Sequence, residues 1–355
     1  MAGIKDIARE AGVSIGTVDR VLHDRGRVSE ETAAKVRAVM QQLKYTPNLA
    51  AQGLAAAKKQ LNLCFLVPEP THNPFFYDII EAASRRAEKL KQYGVKTEIC
   101  LMGDTEKADD PAVQKIIQTM RRADGIAALG IAGGVLSDEL IRASQNGVPL
   151  VLYNTDRKDL DRLAFVGCNY LESGRLAAGV IARVAGKNAQ IAVFSQGMPQ
   201  QDGSAYVGIA SCTDRVQGIR QEIETRYPDM QIVTKQAILA EQVRNESMVR
   251  EVLQKYPQVN VAYIANPADY DICRILRKND PEGRIRIITN DLVGNQIRMV
   301  RDETICATIC QEPEKQGEKP LQILFQYLAY GVKPEQSVQY TNLSIHIAQS
   351  LPPEH

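Results

Sequence analysis

The first 46 residues contain three short segments in which apolar residues recur every three or four positions, the spacing of amphipathic helices. Gly12 interrupts the first segment, and Ser14 is placed to cap the second. Ser29 is placed to cap the third, whose first turn carries Glu30 and Glu31 in agreement with the helix dipole. The apolar positions are Ile4, Ile7, Ala8, Ala11, Val18, Val21, Leu22, Val36, Met40 and Leu43. Two short helices joined by a tight turn and braced by a third predict a helix-turn-helix, with a purely structural three-helix bundle as the alternative.

From residue 61 onward, continuous apolar runs alternate with segments of helical spacing. The apolar runs cover residues 61–67, 95–101, 125–130, 149–153, 163–166, 190–194, 231–237, 259–265 and 284–289. The helical segments cover residues 75–93, 113–122, 136–146, 173–185, 214–227, 242–256 and 268–278. Unbroken apolar strands that alternate with helices predict parallel sheets covered on both faces. So many elements exceed one compact sheet, so we expect two doubly wound lobes with a ligand cleft at the carboxyl ends of their strands.

Charge is distributed unevenly between these two parts. The 355-residue chain has a net charge of +1, but residues 1–59 carry +4 and the remainder carries −3. A small basic segment on a slightly acidic body indicates that only the first part contacts a polyanion. The length fits two or three folded units better than one.

The residues that would support other classes of protein are scattered or absent. The seven cysteines form no Cys-x-x-Cys pair, a distribution typical of free thiols in a reducing cytoplasm. No charged-then-apolar leader opens the chain, and no apolar run approaches the roughly 20 residues of a membrane span. The four histidines are too dispersed to suggest a metal site. We therefore expect a cytoplasmic protein with no metal, no cofactor and no membrane partner.

The helical head carries motifs that are specific in both residue type and spacing. These are AGVS-x-x-TV-x-RVL at residues 11–22, VSEET at residues 28–32 and Y-x-PN-x-x-A-x-x-L at residues 45–54. The segment resembles, nearly throughout, the headpiece of the lactose-repressor (LacI/GalR) family of transcription regulators. The resemblance implies that Ile15, Gly16 and Arg20 lie where family members read base edges in the major groove. It also implies that Ser14, Thr17 and Asn48 lie at positions that contact phosphates or set the register.

Arg20 is the expected direct base contact, because a guanidinium can donate two hydrogen bonds to guanine. Gly16 departs from the family pattern by offering no side chain at a reading position. Asp19 departs from it by placing a carboxylate where a small polar residue is usual. Asp19 either accepts a hydrogen bond from a cytosine amine or pairs with Arg20 or His23, and we favour the pairing.

A hinge is expected between the head and the body. Pro47 opens an alanine-rich segment of about ten residues, which contains Gly53 and should be marginally helical in isolation. In the family this segment orders when two copies meet over the minor groove. Leu54 matches the leucine that is wedged between base pairs there and kinks the duplex. The alternative for Leu54 is an ordinary linker contact.

Polar and aromatic side chains of the body follow the predicted strands. Such side chains would converge on one cleft, because the carboxyl ends of parallel strands share an edge. Carboxylates, amides and guanidiniums can satisfy hydroxyl groups that both donate and accept, and phenyl faces cover the C–H side of a sugar ring. The residues are Asn73, Phe75, Phe76, Asp156, Arg157, Arg215, Asn266, Asp291 and Gln311.

This body resembles the effector domain of the same family, and equally the periplasmic ribose-binding proteins, over nearly its whole length. All nine residues match sugar-contacting positions there, in order. One departure is that the aromatic residue that stacks on the sugar from the second lobe falls near residues 240–242, where the chain has none. Tyr206 or Tyr270 could substitute, or the ligand is flatter or more polar than a simple pyranose.

Two other functions compete with transcription regulation. A transport-type binding protein would explain the body, but it would be expected to have a leader and would not need the helix-turn-helix. A glycosidase would use two carboxylates that flank a sugar, and Asp156 with Asp291 could form such a pair. Sugar binding requires the same residues without catalysis, and no other catalytic motif is present, so we predict that the protein is not an enzyme.

These observations predict an all-α helix-turn-helix headpiece joined to an α/β, periplasmic-binding-protein-like body of two doubly wound parallel-sheet lobes. The headpiece spans residues 1–46, the hinge residues 47–60 and the body residues 61–355. Residues 61–167 and 290–315 are assigned to the first lobe, and residues 168–289 and 316–345 to the second. The predicted function is a nucleoid-associated repressor of carbohydrate genes that binds pseudo-palindromic operator DNA as a homodimer. A neutral sugar or polyol between the lobes would control it.

Overall fold

The structure is a computed structural model that describes residues 4–22, 28–43, 60–71, 73–103, 107–130, 134–198, 207–208, 210–238, 242–266 and 270–351. Its first three helices are α1 (Ile4–Ala11), α2 (Ile15–Leu22) and α3 (Glu30–Gln42). Ser14 Oγ accepts a hydrogen bond from the Thr17 N–H at 3.1 Å, and Ser29 Oγ accepts one from the Thr32 N–H at 3.3 Å. Both serines therefore cap their helices as the sequence predicts.

The three helices enclose a small apolar core. Gly12 has a left-handed φ of +63° at the turn between α1 and α2, a conformation that glycine adopts without strain. The buried core residues are Ile7, Ala8, Ala11, Val18, Val36 and Val39, with Val13, Val21, Met40 and Leu43 packed against them. The predicted inward positions whose side chains are described thus lie in the core.

Strands and helices alternate through the body. The strands are β1 (Asn62–Pro68), β2 (Lys96–Met102), β3 (Gly125–Leu129), β4 (Leu150–Tyr153), β5 (Ala164–Gly167), β6 (Gln190–Met198), β7 (Val207–Gly208), β8 (Gln231–Ile238), β9 (Val261–Ile264), β10 (Arg286–Asn290), β11 (Ala307–Cys310), β12 (Val338–Tyr340) and β13 (Ser344–His346). The helices are α4 (Phe75–Lys91), α5 (Pro111–Arg122), α6 (Gly134–Gln145), α7 (Tyr170–Val184), α8 (Ala210–Arg226), α9 (Gln242–Lys255), α10 (Tyr270–Asn279), α11 (Gln296–Arg301) and α12 (Pro313–Tyr330), followed by a short 3-10 helix at Ala348–Ser350.

Two separate sheets form the two lobes. The first lobe has the strand order β12-β5-β4-β3-β1-β2, in which every pairing is parallel. The second has the order β13-β11-β10-β9-β6, with β8 also paired to β6. In this sheet only β7 and β13 pair antiparallel among the described strands. Each sheet is covered on both faces, because apolar clusters lie on either side of it.

The chain crosses between the lobes at three places, and two of them correct the predicted lobe boundaries. Residues 290–315 were assigned to the first lobe, but β11 pairs with β10 in the second sheet. Residues 316–345 were assigned to the second lobe, but α12 packs on the first and only β13 returns. The crossing occurs at Glu312, whose φ of +52° is left-handed.

The apolar face of α12 explains this placement. Leu321, Ile323, Leu324 and Phe325 are buried in the core of the first lobe. Gly317 lets α12 approach α4 closely, because a Cβ atom there would lie 2.3 Å from the Ile79 carbonyl oxygen. Only a long-range fit of this kind could assign the helix to a lobe.

Candidate functional site

The outer face of α2 carries the side chains predicted to read DNA. Ile15 is 50% exposed, and Arg20 and Gly16 are exposed beside it. The Arg20 Nε atom donates a hydrogen bond to the Gly16 carbonyl oxygen at 3.1 Å, so the guanidinium lies along the helix surface. Ser14 and Thr17 lie at the start of the same helix, with their hydroxyl oxygens 2.9 Å apart. The predicted contacts Asn48 and Leu54 fall outside the described residues, as do His23 and the side chain of Asp19.

Asp291 is the centre of the predicted ligand site in the second lobe. It follows β10 with a φ of +63°, and its side chain is only 2% exposed. Gln311 Nε2 donates to both Asp291 carboxylate oxygens at 3.1 Å, and the Thr308 hydroxyl donates to the Asp291 carbonyl oxygen. Burial raises the pKa of Asp291 to about 6, against the opposing effects of Arg215 and the Gln311 hydrogen bond. The structure thus holds a carboxylate where a ligand hydroxyl could donate to it.

Arg215 is the charged partner of Asp291 and is 1% exposed. Its Nη1 atom donates to the Ala265 carbonyl oxygen at 3.0 Å, and its guanidinium carbon lies 4.8 Å from the centroid of the Tyr170 ring. Its buried Nε atom has no hydrogen-bond partner among the described residues. A buried donor of this kind favours an added acceptor, such as a ligand oxygen, because it costs free energy when left unsatisfied.

Small residues let α7 and α8 bring Arg215 to this position. A Cβ atom on Gly174 of α7 would lie 1.9 Å from the Arg215 carbonyl oxygen. A Cβ atom on Gly218 of α8 would lie 2.0 Å from the Leu171 carbonyl oxygen. Both distances are far below any real contact, so only glycine permits this helix pair. Arg215 lies in the second turn of α8, which begins at Ala210, rather than at the start of a helix as the sequence pattern suggests.

Asn266 follows β9 next to Arg215 and is 8% exposed. Its Oδ1 atom lies 3.7 Å from the Cys212 sulfur, within the distance of a thiol hydrogen bond. Burial raises the pKa of the neighbouring Cys168 thiol to about 12, so this thiol stays protonated at neutral pH. The second-lobe part of the site is therefore built from one carboxylate, one guanidinium and two amides, with the neutral Cys168 thiol close by.

The first lobe faces this cluster with the start of α4. The Asn73 Oδ1 atom accepts a hydrogen bond from the Phe75 N–H at 3.1 Å, which fixes the turn into the helix. Phe75 and Phe76 are 2% and 7% exposed, and their rings meet edge to face with centroids 5.7 Å apart. Asp78 in the first turn raises the pKa of Asp291 by charge repulsion, which places the two acids near each other across the lobes.

Asp156 and Arg157 are held by side chains of their own lobe. Asp156 forms a two-point ion pair with Arg162, at 2.5 Å to Nε and 2.7 Å to Nη2. The Arg157 guanidinium binds Asp159 and donates to the Ser137 hydroxyl at 2.7 Å. The structure therefore bonds Gln311 directly to Asp291 and places the Arg215 guanidinium near enough to lower the Asp291 pKa, but it shows no direct bond from these groups to Asp156 or Arg157 among the described residues. A ligand would have to draw these two side chains out of their present pairs.

Three residues near the site carried no assignment in the sequence analysis. Asp78 could have been noticed, because it follows Phe76 in the first turn of a predicted helix. Gln316 and Asn154 could not, because their role depends on the position of α12. Gln316 Nε2 donates to Gln311 Oε1 at 3.3 Å, and Asn154 Nδ2 donates to Gln316 Oε1 at 3.1 Å.

A cavity of about 620 Å³ lies away from this cluster, between α12, the loop after it and β12. Its lining includes Lys315, Lys319 and Lys333 but none of the predicted ligand residues. Buried polar groups converge at Asp291, whereas the lysines of this cavity are not fully buried. Among the described residues, no helix is both long and apolar enough to cross a membrane, and no group of His, Cys, Asp and Glu side chains is arranged to hold a metal ion.

Comparison with known protein families matches both parts of the chain. Residues 3–48 match the model of bacterial regulatory proteins of the lacI family. Residues 64–332 match the model of a periplasmic binding protein domain. Residues 49–63, which lie between the two matches, include most of the hinge predicted from the sequence.

Individual proteins agree with these family matches. The chain is 28% identical to the ribose operon repressor of Bacillus subtilis over 297 residues, which are 82% of each protein. It is 32% identical to the HTH-type transcriptional regulator DegA of the same organism over 155 residues, or 43% of this chain and 44% of DegA. Among solved structures, the glucose-galactose binding protein GanP from Geobacillus stearothermophilus superposes with a TM-score of 0.67 at 21% identity, covering 82% of this chain and 99% of GanP. That structural likeness shows the fold of the body.

Proposed function

Because the chain belongs to the lacI family of bacterial regulatory proteins, which are DNA-binding transcription regulators, we propose that it is a homodimeric repressor of carbohydrate genes controlled by a neutral sugar or polyol. The family and the fold class predicted from the sequence are confirmed by the matches. The observation that carries the ligand proposal is the buried Asp291–Gln311–Arg215 cluster at the carboxyl ends of β10 and β11. The protein acts in the cytoplasm on nucleoid DNA and has no enzymatic activity, so a panel of glycosides should show no turnover.

The charges of the cluster support a neutral ligand. Asp291 and Arg215 have opposite charges, Asp156 is balanced by Arg162, and Asp78 adds a further acidic group near Asp291. A site without surplus basic groups has little reason to select an anion, and a phosphorylated sugar would need such groups. Ligand hydroxyls can donate to the Asp291 carboxylate and accept from the unpartnered Arg215 Nε atom. The likeness to the ribose operon repressor makes D-ribose the first compound to test.

Asp291→Asn is expected to weaken sugar binding roughly 10- to 150-fold, because a hydrogen bond to a charged group contributes about 1.5–3 kcal/mol. Isothermal titration calorimetry would measure this with the tightest ligand from a thermal-shift screen of D-ribose, other sugars and polyols. Asp302→Asn is the matched control, since its exposed carboxylate lies in the turn between α11 and β11. Unchanged affinity in Asp291→Asn, or binding of phosphorylated sugars alone, would contradict the site.

Arg20→Ala is expected to cost about 1–3 kcal/mol on the operator and to relax one base position in each half-site. The reason is that its guanidinium lies on the exposed face of α2 and is free to turn from the Gly16 carbonyl to a guanine. Binding selections with wild type and variant would define the operator, and fluorescence anisotropy would compare it with random DNA. Arg37→Ala on α3 is the control, because it removes an exposed arginine that pairs with Glu30. Equal losses on operator and random DNA would reduce Arg20 to a phosphate contact.

Dimerisation is part of the proposal because one headpiece contacts too few base pairs for useful specificity. A twofold-symmetric dimer would place two α2 helices on the two halves of a pseudo-palindrome. Closure of the lobes on a sugar would then change the spacing of the headpieces.

A further inference from the structure

Three side-chain carboxamides stand in series behind Asp291 and reach from the second lobe to the first. Gln311 Nε2 donates to the Asp291 carboxylate at 3.1 Å, and Gln316 Nε2 donates to Gln311 Oε1 at 3.3 Å. Asn154 Nδ2 donates to Gln316 Oε1 at 3.1 Å. Gln316 Nε2 also donates to the Gln311 carbonyl oxygen at 3.2 Å. We call Asp291, Gln311, Gln316 and Asn154 the amide relay.

The carboxylate fixes the direction of the amide relay. An ionised carboxylate can only accept hydrogen bonds, so Gln311 must present its nitrogen to Asp291. Its oxygen is then left facing Gln316, which must in turn present a nitrogen to it. Every amide therefore points its nitrogen towards Asp291, and reversing one amide would set two acceptors or two donors against each other. The orientation follows from the charge at the end of the series.

The relay crosses the lobe boundary at the hinge. Gln311 directly follows the second-lobe strand β11, whereas Gln316 lies in the first-lobe helix α12, on the other side of the left-handed residue Glu312. Gln311 and Gln316 are 2% and 0% exposed, so water cannot replace a broken bond between them without entering the hinge. A second bond spans the neighbouring crossing, where the Tyr170 hydroxyl donates to the Asn154 carbonyl oxygen at 3.1 Å.

Tyr170 also contacts the predicted ligand site, because its ring lies under the Arg215 guanidinium. The relay and Tyr170 therefore join both charged groups of the site to two of the three crossings between the lobes, those at 167–170 and 311–313. The Gln311–Gln316 bond joins the two lobes at the hinge, since its two ends belong to different lobes.

We propose that Gln316 is a positioning residue that locks the Gln311 amide onto Asp291 and so couples occupancy of the ligand site to movement at the hinge. The ligand half of this inference rests on the proposed function, whereas the orienting role of Gln316 does not. A sugar hydroxyl that donates to Asp291 competes with Gln311 for the carboxylate and weakens the series at its charged end. The hydrogen bond between Gln311 and Gln316 is then weaker, and the two lobes can move more easily about the hinge.

The orienting role can be measured without any ligand, as the pKa of Asp291 in the full-length protein. The variant Gln316→Met keeps the volume of the side chain and removes its hydrogen bonds. Gln311 should then lose its fixed orientation, and the pKa of Asp291 should rise by at least about half a unit, because the hydrogen bond that favours the charged form is weakened. Carbon-13 NMR of labelled aspartate, with the Asp291 signal assigned from its loss in Asp291→Asn, reports this pKa.

The matched control is Gln326→Met, which changes a half-buried glutamine on the same helix outside the relay. Gln316→Leu serves as a second variant if the methionine protein folds poorly, because it also removes the hydrogen bonds of this side chain and adds no charge that would itself raise the pKa of Asp291. The other charged and titratable groups that interact electrostatically with Asp291 or with its neighbours are the same in all variants. These groups are Arg215, Asp78, Glu314, Tyr170, Cys168 and Cys310.

A comparison of single and double variants distinguishes a positioning role of Gln316 from a general structural role. If Gln316 acts through Gln311, then Gln316→Met should change the pKa of Asp291 in the wild-type background but not in Gln311→Met. An unchanged pKa in Gln316→Met, or equal shifts in both backgrounds, would overturn the orienting role. In calorimetry, Gln316→Met should also change the affinity for the best sugar at least about threefold, because coupling networks modulate binding by about 0.5–2 kcal/mol. If no sugar binds even the wild type, the proposed ligand fails while the pKa measurement still decides the role of Gln316.

Discussion

Raising the pH from 4 to 7 is expected to cost the wild-type protein about 2–3 kcal/mol of unfolding free energy that the variant Asp291→Asn retains. The pKa of Asp291 is about 6 in the folded protein, against an ordinary value of 3.8, because the carboxyl group is buried. The folded state therefore holds this proton more tightly than the unfolded state. The stability that it contributes is fully present below pH 4 and is lost as the pH rises through 6.

Asparagine suits this position because it has no titration and tolerates the left-handed backbone that Asp291 adopts. Urea unfolding of both proteins, without sugar, at several pH values between 4 and 7.5 would give the two stability curves. Asp302→Asn, which changes an exposed aspartate in the turn between α11 and β11, is the control. Parallel curves for Asp291→Asn and wild type would mean that burial does not raise the pKa of Asp291 in the folded protein. The expected result is a variant that gains stability at neutral pH and loses ligand affinity, since the same buried charge serves binding.

Gly174→Ala is expected to destabilise the second lobe by about 3 kcal/mol or more, at the upper end of the range for overpacked sites. The new Cβ atom would lie 1.9 Å from the Arg215 carbonyl oxygen, and backbone cannot move aside as a flexible side chain can. Helices α7 and α8 would have to separate, which would displace Arg215 from Asp291. Sugar affinity should therefore fall together with stability.

Gly179→Ala on the same helix is the matched control. Its Cβ atom would meet only the Arg183 Nη1 atom at 3.7 Å, an ordinary contact. Alanine is the better helix former by roughly 0.5–1 kcal/mol, so this variant should be as stable as the wild type or slightly more so. Thermal and urea unfolding would compare the three proteins. Similar stabilities for Gly174→Ala and Gly179→Ala would show that α7 and α8 are not packed as closely as described.

Much of the site could be predicted from local pattern combined with one topological rule. Parallel strands carry their functional residues at their carboxyl ends, so Asp291 after β10 and Gln311 after β11 were expected to meet, and their side chains are hydrogen-bonded. The same rule selected Asp156 and Arg157, whose side chains instead bind Arg162 and Asp159. Which of several nearby charges pairs with which depends on distances that the sequence does not contain.

Local patterns in the sequence predicted the helix-turn-helix, the order of strands and helices from β1 to β10 apart from the two-residue β7, and the residues at the strand ends. These features follow from capping residues such as Ser14, from apolar periodicity and from unbroken apolar runs, all of which act over a few residues. Three features became visible only in the folded chain. Helix α12 packs on the first lobe, Gly174 and Gly218 allow α7 and α8 to pack in close contact, and Gln316 is hydrogen-bonded to Gln311. Those outcomes depend on contacts between segments far apart in the chain or across a hinge, and a local pattern carries no information about which distant surface a helix will cover.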